Sequence, residues 1–348
     1  MGNWHKLPFV PAMSFVSVIV LIVQVQLTLG SCTNEELKTY YTTGGEACRD
    51  ACDKHGYNYF WCRTISSWDY CSERENYDYN GLKCKSSHPC GKYGKTYYWC
   101  KTNKGESECG LMEPKTVLYK TKYNDLCVTD CYYAKFGKYY WCYTKKGWDY
   151  CSPARDVTYR NEPCRWDHSC GSNGKNYNWC YTKSSWDYCG YIDPCECSYY
   201  SSQRSKRDTN KELFSCTQTI NGDKFITTFN AEPFFGSQEY DSSIRNEITN
   251  LISKWKDEYL SNQTSEKLDL ITDHNSALNL ELKGNTHYHL KVTANSSQGH
   301  KVLVSQVLIP TRPHFPGRYI RMALLESFHN HAIISMETSE CEDKEQTG

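Results

Sequence analysis

Hydrophobic and polar positions follow three different regimes along this 348-residue chain. An apolar run from Phe15 to Val25 comes first, behind a weakly basic start at Lys6. Between Cys32 and Cys197 the pattern is one of aromatic residues alternating with cysteine and small polar residues, as in Tyr139-Tyr-Trp-Cys-Tyr-Thr144. Alternation of that kind predicts short β-hairpin arms with aromatics on both faces. The remainder reads as a conventional domain. A strand over Lys224 to Asn230 follows the turn Asn221-Gly222-Asp223. A helix from about Ser243 to Leu260 carries Ile244, Ile248, Leu251, Ile252, Trp255 and Tyr259 on one stripe, with Asp241 or Ser242 as its cap. Strands are expected near Leu278 to Leu282, His287 to Ala294, Lys301 to Ile309, Tyr319 to Leu325 and Ala332 to Met336. One helix laid across an antiparallel sheet, an α+β domain, is the fold class these elements imply.

The opening run has the form of a signal peptide. Thr28 and Gly30 put small residues at the positions a signal peptidase requires, predicting cleavage after Gly30. Gln24 and Gln26 interrupt the run before the roughly 20 apolar residues that span a bilayer. No other segment is apolar enough to span, and the tail from Cys341 to Gly348 is too polar for a glycolipid-anchor signal. The expected product is secreted and extracellular.

Composition sharpens this reading. Forty basic residues balance forty acidic ones, which gives no general attraction to nucleic acid. Of 21 cysteines, 19 fall between Cys32 and Cys197, a density that belongs to disulfide-stapled extracellular modules. Their spacing repeats four times: Cys48, Cys52, Cys62 and Cys71; Cys84, Cys90, Cys100 and Cys109; Cys127, Cys131, Cys142 and Cys151; Cys164, Cys170, Cys180 and Cys189. Copies one and three start 79 residues apart and copies two and four 80 apart, so a pair of modules is duplicated. A glycine and a Trp-Cys step recur in every copy, at Trp61, Trp99, Trp141 and Trp179. Three copies close on Trp-Asp-Tyr-Cys, whereas the second reads Lys104-Gly-Glu-Ser-Glu-Cys109.

A module of about 35 residues buries too little surface to fold unaided, so cross-links are required. Four cysteines allow three pairings; first with third and second with fourth is the expectation, because it pins the Trp-Cys segment against both neighbours. Zinc is the rival for dense cysteine, but no Cys-x2-Cys knuckle is present and the compartment is oxidising. The tryptophans of the Trp-Cys steps are expected in the miniature cores. The segments Trp68-Asp69-Tyr70, Trp148-Asp149-Tyr150 and Trp186-Asp187-Tyr188 are the candidate ligand-binding residues: stacking platforms beside a carboxylate, suited to sugar rings, cations or basic side chains. The alternative is that these aromatics are core and the aspartates cap turns.

The strings Trp141 to Cys151 and Trp179 to Cys189 resemble the closing half of kringle and fibronectin type II modules over a dozen residues per copy. That resemblance implies a non-catalytic binding role toward collagen, lysine-bearing proteins or choline lipids. In the second half, Gly284 to Val292 followed by Lys301 to Pro310 is similar to the central hairpins of cystatins, with a helix ahead of them. Where the cystatin loop reads Gln-x-Val-x-Gly, this chain has Leu280-Glu-Leu282-Lys-Gly284 and keeps only the glycine.

Between the two halves, Arg204-Ser-Lys206-Arg207 fits a proprotein-convertase site with cleavage after Arg207. Charge divides there: residues 31–207 hold 26 basic and 21 acidic side chains, and residues 208–348 hold 13 and 19. The expected organisation is a signal peptide (1–30), two module pairs (31–110 and 111–197), a linker (198–212), the α+β domain (213–341) and a polar tail (342–348). Cys216 and Cys341 bracket that domain and are expected to pair. Cys32, Cys195 and Cys197 are left over, an odd count that permits a disulfide-linked dimer. Asn262 and Asn295 head glycosylation sequons. His287 with His289, and His329 with His331, are the pairs weighed as metal ligands, with solvent-facing polarity as the competing account. No Gly-x-Ser-x-Gly elbow, His-Glu-x-x-His helix or dinucleotide loop occurs, and neither a metal nor a cofactor is expected.

These features together predict a secreted, non-enzymatic binding or adhesion protein. Its partners would be an extracellular protein, glycan or lipid, with no nucleic acid and no membrane span. The alternative is a processed effector or inhibitor-like protein whose activity resides in residues 208–348 and which the repeats mask until Arg207 is cut.

Overall fold

The computed structural model describes residues 37–200, 211–220, 223–233, 242–254, 263–264, 268–273, 287–295, 301–312 and 315–340. The leader with Gly30, Cys32, Arg207, Asn262, the strand expected at 278–282 and Cys341 lie outside them. Most of the described chain is short β-strand, with four repeated disulfide-rich units, nine disulfides and two helices among the described residues.

Each unit is a hairpin held by two bridges. In the first, Trp61–Arg63 pairs with Trp68–Tyr70, and the bridges are Cys48–Cys62 and Cys52–Cys71. The other three repeat the crossed order as Cys84–Cys100 with Cys90–Cys109, Cys127–Cys142 with Cys131–Cys151, and Cys164–Cys180 with Cys170–Cys189. One bridge enters the middle of the first hairpin strand and the other follows the second strand, so both arms are tied to the opening loop. The cystines are the core: Cys62, Cys71, Cys100, Cys109, Cys142 and Cys151 are wholly buried. Beside them lies the residue that precedes each Trp-Cys step, Phe60, Tyr98, Tyr140 or Asn178. The tryptophans themselves are only half-buried in the first, third and fourth units, and Trp99 alone is buried. Strand alternation explains the difference from the expected core, because Phe60 and Cys62 sit on either side of Trp61 yet cannot share its face.

Modules close into pairs through main-chain hydrogen bonds. In the first pair, Phe60 N donates to Tyr79 O, Tyr79 N to Glu108 O, Tyr98 N to Thr43 O and Thr43 N to Tyr70 O, a closed ring. The second pair repeats it with Tyr140 N to Tyr159 O, Tyr159 N to Tyr188 O, Asn178 N to Lys122 O and Lys122 N to Tyr150 O. Gly110 and Gly190 occupy equivalent places where the chain passes against itself. A Cβ there would lie 2.3 Å from Tyr41 O or 2.2 Å from Lys120 O.

The C-terminal region forms an eight-stranded sheet: β1 (Cys197–Tyr199), β2 (Lys211–Ile220), β3 (Asp223–Pro233), β4 (Gln263–Thr264), β5 (Leu268–Asp273), β6 (His287–Asn295), β7 (Lys301–Pro310) and β8 (Ala332–Glu340), in the order β1-β2-β3-β8-β7-β6-β5-β4. The sheet is mixed, not antiparallel throughout, because β7 and β8 run parallel with Val307 opposite Ile334. A parallel pair needs a crossover, and helix α2 (Gly317–Asn330) supplies it. The segment Tyr319 to Leu325, expected as a strand, is the centre of that helix: Tyr319, Ile320, Ala323, Leu324, Ser327 and Phe328 are buried at helical spacing. A second helix, α1 (Ser242–Lys254), contributes Ile248 and Ile252 to the core with Phe214, Phe229, Leu290 and Val307. Cys216 is bridged to Cys197 rather than to Cys341, since pairing of β1 with β2 sets the two cysteines directly opposite. Cys195 is bridged as well.

The module region and this sheet belong to one compact unit, Thr39 to Gly348. Arg318 grips Glu196 through two hydrogen bonds of 2.8 and 2.7 Å, and Arg321 reaches Glu113 at 3.0 Å. Asn161, buried and in left-handed backbone geometry (φ 65°), is the hub. Its carboxamide lies 3.0 Å from Thr249 Oγ1 and 3.2 Å from His329 Nε2, and its carbonyl accepts from Arg245 at 3.1 Å.

Candidate functional site: aromatic faces of the hairpins

In a strand, residues i and i+2 share a face, so Trp68 and Tyr70 point one way and Asp69 the other. Directly opposite Tyr70 stands Trp61. The result is an edge-to-face cluster, with Trp61 and Trp68 centroids 5.7 Å apart and Trp68 and Tyr70 5.8 Å apart. The third unit repeats it with Trp141, Trp148 and Tyr150 (6.2 and 5.8 Å), and the fourth with Trp179, Trp186 and Tyr188 (6.2 and 5.6 Å). About half of each outer indole meets solvent: 51% of Trp68, 56% of Trp148 and 48% of Trp186. Histidine packs on the inner tryptophan in three units, His55 on Trp61, His88 on Trp99 and His168 on Trp179, at 4.4 to 4.5 Å.

The aspartates of the motif are not part of these platforms. Asp69 accepts from Tyr70 N at 2.8 Å and Gly44 N at 3.1 Å. Asp149 accepts from Tyr150 N at 2.7 Å and pairs with Lys122 at 3.1 Å. Asp187 accepts from Tyr188 N at 2.9 Å, with Arg160 at 3.8 Å. They fasten the hairpin to the preceding turn, the role of a local cap. Lys122 also lies 4.5 Å from the Tyr150 centroid, 4.9 Å from Tyr188 and 5.0 Å from Tyr123, a caged cation at the centre of the second pair. Nothing in the local sequence singles out Lys122, because its cage is drawn from both modules.

The divergent second unit has its platform closed. Lys95 lies 3.9 Å over the Trp99 ring and is held there by Glu106 at 3.2 Å, and Trp99 Nε1 donates to Lys92 O at 2.9 Å. Only 7% of Trp99 remains exposed. The array therefore offers three open platforms and one that is covered.

A cavity of about 760 Å³ lies between the modules and the helices, lined by Tyr41, Tyr119, Tyr132, Tyr199, Lys115 and Arg321 among others. Burial pushes the hydroxyls of Tyr119, Tyr132 and Tyr199 above their ordinary range and the Lys115 ammonium below its own. Tyr41 Oη donates to Glu113, Tyr199 Oη to Glu326 (2.8 Å), and Lys115 Nζ to Val128 O (2.7 Å), so the walls are tied largely to each other.

Three cysteine sulfurs converge in each module, as in Cys48, Cys62 and Cys71, but all are committed to bridges and cannot serve as metal thiolates. One histidine of each pair is held by packing and hydrogen bonds. His289 is buried, with Nε2 3.0 Å from Gln306 Oε1, and His329 donates Nδ1–H to Leu325 O at 2.7 Å. His331 ends α2 in left-handed geometry. Asn295 is the last residue of β6.

Neither a known protein family, nor a curated protein, nor a solved structure matches this chain.

Proposed function

We propose that this is a secreted, non-enzymatic binding protein, an adhesion arm that recognises an extracellular matrix, glycan or lipid ligand through several modules at once. The observation that carries the reading is the repeated presentation of an open Trp-Trp-Tyr cluster on three cystine-braced hairpins. Exposed indoles are costly unless used, since each forgoes about 2 kcal/mol of burial. Rigid aromatic surfaces, in contrast, bind at little entropic cost, and repetition converts weak single contacts into avidity. The recognition elements are Trp68 with Tyr70, Trp148 with Tyr150, and Trp186 with Tyr188; the aspartates act by holding them in place. In this reading the four modules form the array, three of them presenting the recognition faces, and the sheet with its two helices is the platform that carries it.

The test is binding of the intact protein to immobilised collagens and glycans, alongside a variant with Trp68, Trp148 and Trp186 replaced by alanine. A folded triple variant should lose at least about tenfold in affinity, and each single variant a smaller share. Binding unchanged in the triple variant would refute the assignment.

A further inference from the structure

The third module has ten residues between its second and third cysteines where the others have nine. Its hairpin gains a third strand: Tyr132–Ala134 pairs with Tyr139–Thr144, with Ala134 opposite Tyr139. Lys135, Phe136, Gly137 and Lys138 form the turn, closed by Lys138 N donating to Ala134 O at 2.8 Å. Gly137 has no room for a Cβ, which would lie 2.1 Å from the Tyr139 ring. The tip is thus a preformed finger.

Phe136, at its end, is fully exposed, and Lys135 and Lys138 beside it are exposed too. No carboxylate pairs with either lysine among the described residues. Trp166, the other protruding aromatic, is 83% exposed, but its neighbour Arg165 is clasped by Asp167. A turn of this kind would form with any polar residue at position 136, so the phenyl ring is not required by the fold. Its layout, an apolar group foremost with two free cations behind it, matches a lipid interface, where an apolar interior lies under a plane of phosphates. A folded protein partner generally needs a patch near 800 Å² rather than one convex side chain. A sulfated glycan would be gripped chiefly through the lysines, its sulfates being the dominant groups it presents.

We propose that the third-module tip is a membrane-docking element, with Phe136 entering the interfacial region of an anionic phospholipid surface and Lys135 and Lys138 meeting its phosphates. The proposal rests on the binding-protein reading above and adds a partner and a second, separate contact.

The experiment is co-sedimentation of the intact protein with vesicles of phosphatidylcholine alone or with about one-third phosphatidylserine. Binding is expected only to the anionic vesicles, weakening as salt rises. Each lysine near the surface should contribute roughly fivefold in affinity, so Lys135→Glu with Lys138→Glu should weaken binding more than about 25-fold. Phe136→Ser, at a site that cannot disturb folding, should weaken it about tenfold or more. Trp166→Ala should leave it unchanged. No binding to anionic vesicles overturns the proposal, and so does equal binding by Phe136→Ser, the result expected of a purely cationic grip such as that on a sulfated glycan. The triple tryptophan variant separates the two ideas: its vesicle binding should persist whatever becomes of its binding to collagens or glycans, and vesicle binding lost in the folded triple variant would overturn the tip as a separate contact.

Discussion

Replacing Lys122 with methionine keeps an unbranched apolar stem and removes the ammonium with its charge and its hydrogen-bond donors, which makes it a sharp probe of the second module pair. The ammonium lies 3.1 Å from Asp149 Oδ1 with both side chains largely buried, and three tyrosine rings surround it. At that distance the gross attraction is about 5 kcal/mol in a medium of effective dielectric near 20, and desolvation cancels a large part of it. Taking away one partner leaves Asp149 enclosed, with Oδ2 unpaired and only Tyr150 N to satisfy Oδ1. The expected loss is about 2 kcal/mol of unfolding free energy. The first pair supplies an internal comparison. The equivalent residue there is Thr43, whose hydroxyl donates to Asp69 and to Glu108 at 3.4 and 3.1 Å. In the second pair Tyr188 stands in the place of Glu108, and the Lys122 ammonium faces its ring at 4.9 Å. Equilibrium denaturation with disulfides intact is the assay. Lys146→Met is the control, because that ammonium is exposed on Asp125 and its loss should cost less than about 0.5 kcal/mol. If Lys122→Met proved as stable as the control, the aromatic packing alone would hold the pair and the reasoning would fail.

Acid should loosen the joint between the modules and the helices. Burial, reinforced by the nearby Arg245 charge, pushes the His329 imidazole down to about 4 from an ordinary 6.5. A depressed pKa means that this stability is present above pH 6.5 and is lost as pH falls toward 4, by up to about 3 kcal/mol; His329→Asn should flatten the stability curve over that interval. Asn161→Ala removes contacts to Thr249 and His329 at a left-handed position and should cost about 2 to 3 kcal/mol, read as faster amide exchange in α1 and α2. Gly190→Ala should cost more than about 3 kcal/mol or abolish folding, because its Cβ would meet Lys120 O; the matching substitution at Gly110 should behave alike, and normal yield of either would contradict the close approach.

Cysteine spacing made the four modules legible, because bridge geometry leaves little freedom over such short loops. The duplication was visible for the same reason. Facing was harder. Trp-Asp-Tyr reads as one motif in sequence, but a strand divides it, turning the half-exposed indole and the more buried phenol to one face and the carboxylate to the preceding turn. Tyr319 to Leu325 looked extended over seven residues, and only the longer pattern through Phe328 shows helical period. The parallel contact of β7 with β8 follows from that helix and was hidden with it. Lys122 and Asn161 carry no local signature, since their partners lie in another module or in α1 and α2. The partner of Cys216 was misread because strand pairing, rather than position along the chain, brings it to Cys197.

That last bridge changes what proteolysis between the halves can achieve. Arg207 lies inside the loop closed by Cys197 and Cys216, so a cut there converts one chain into a two-chain molecule without releasing either part. The new amino terminus would stay leashed eight residues before the bridge. Under oxidising conditions a nicked protein should migrate as one species, and split in two only after reduction. Separation then needs two signals of different chemistry, a protease and a reductant, which makes the surrounding redox state the gatekeeper of any event that depends on the halves parting.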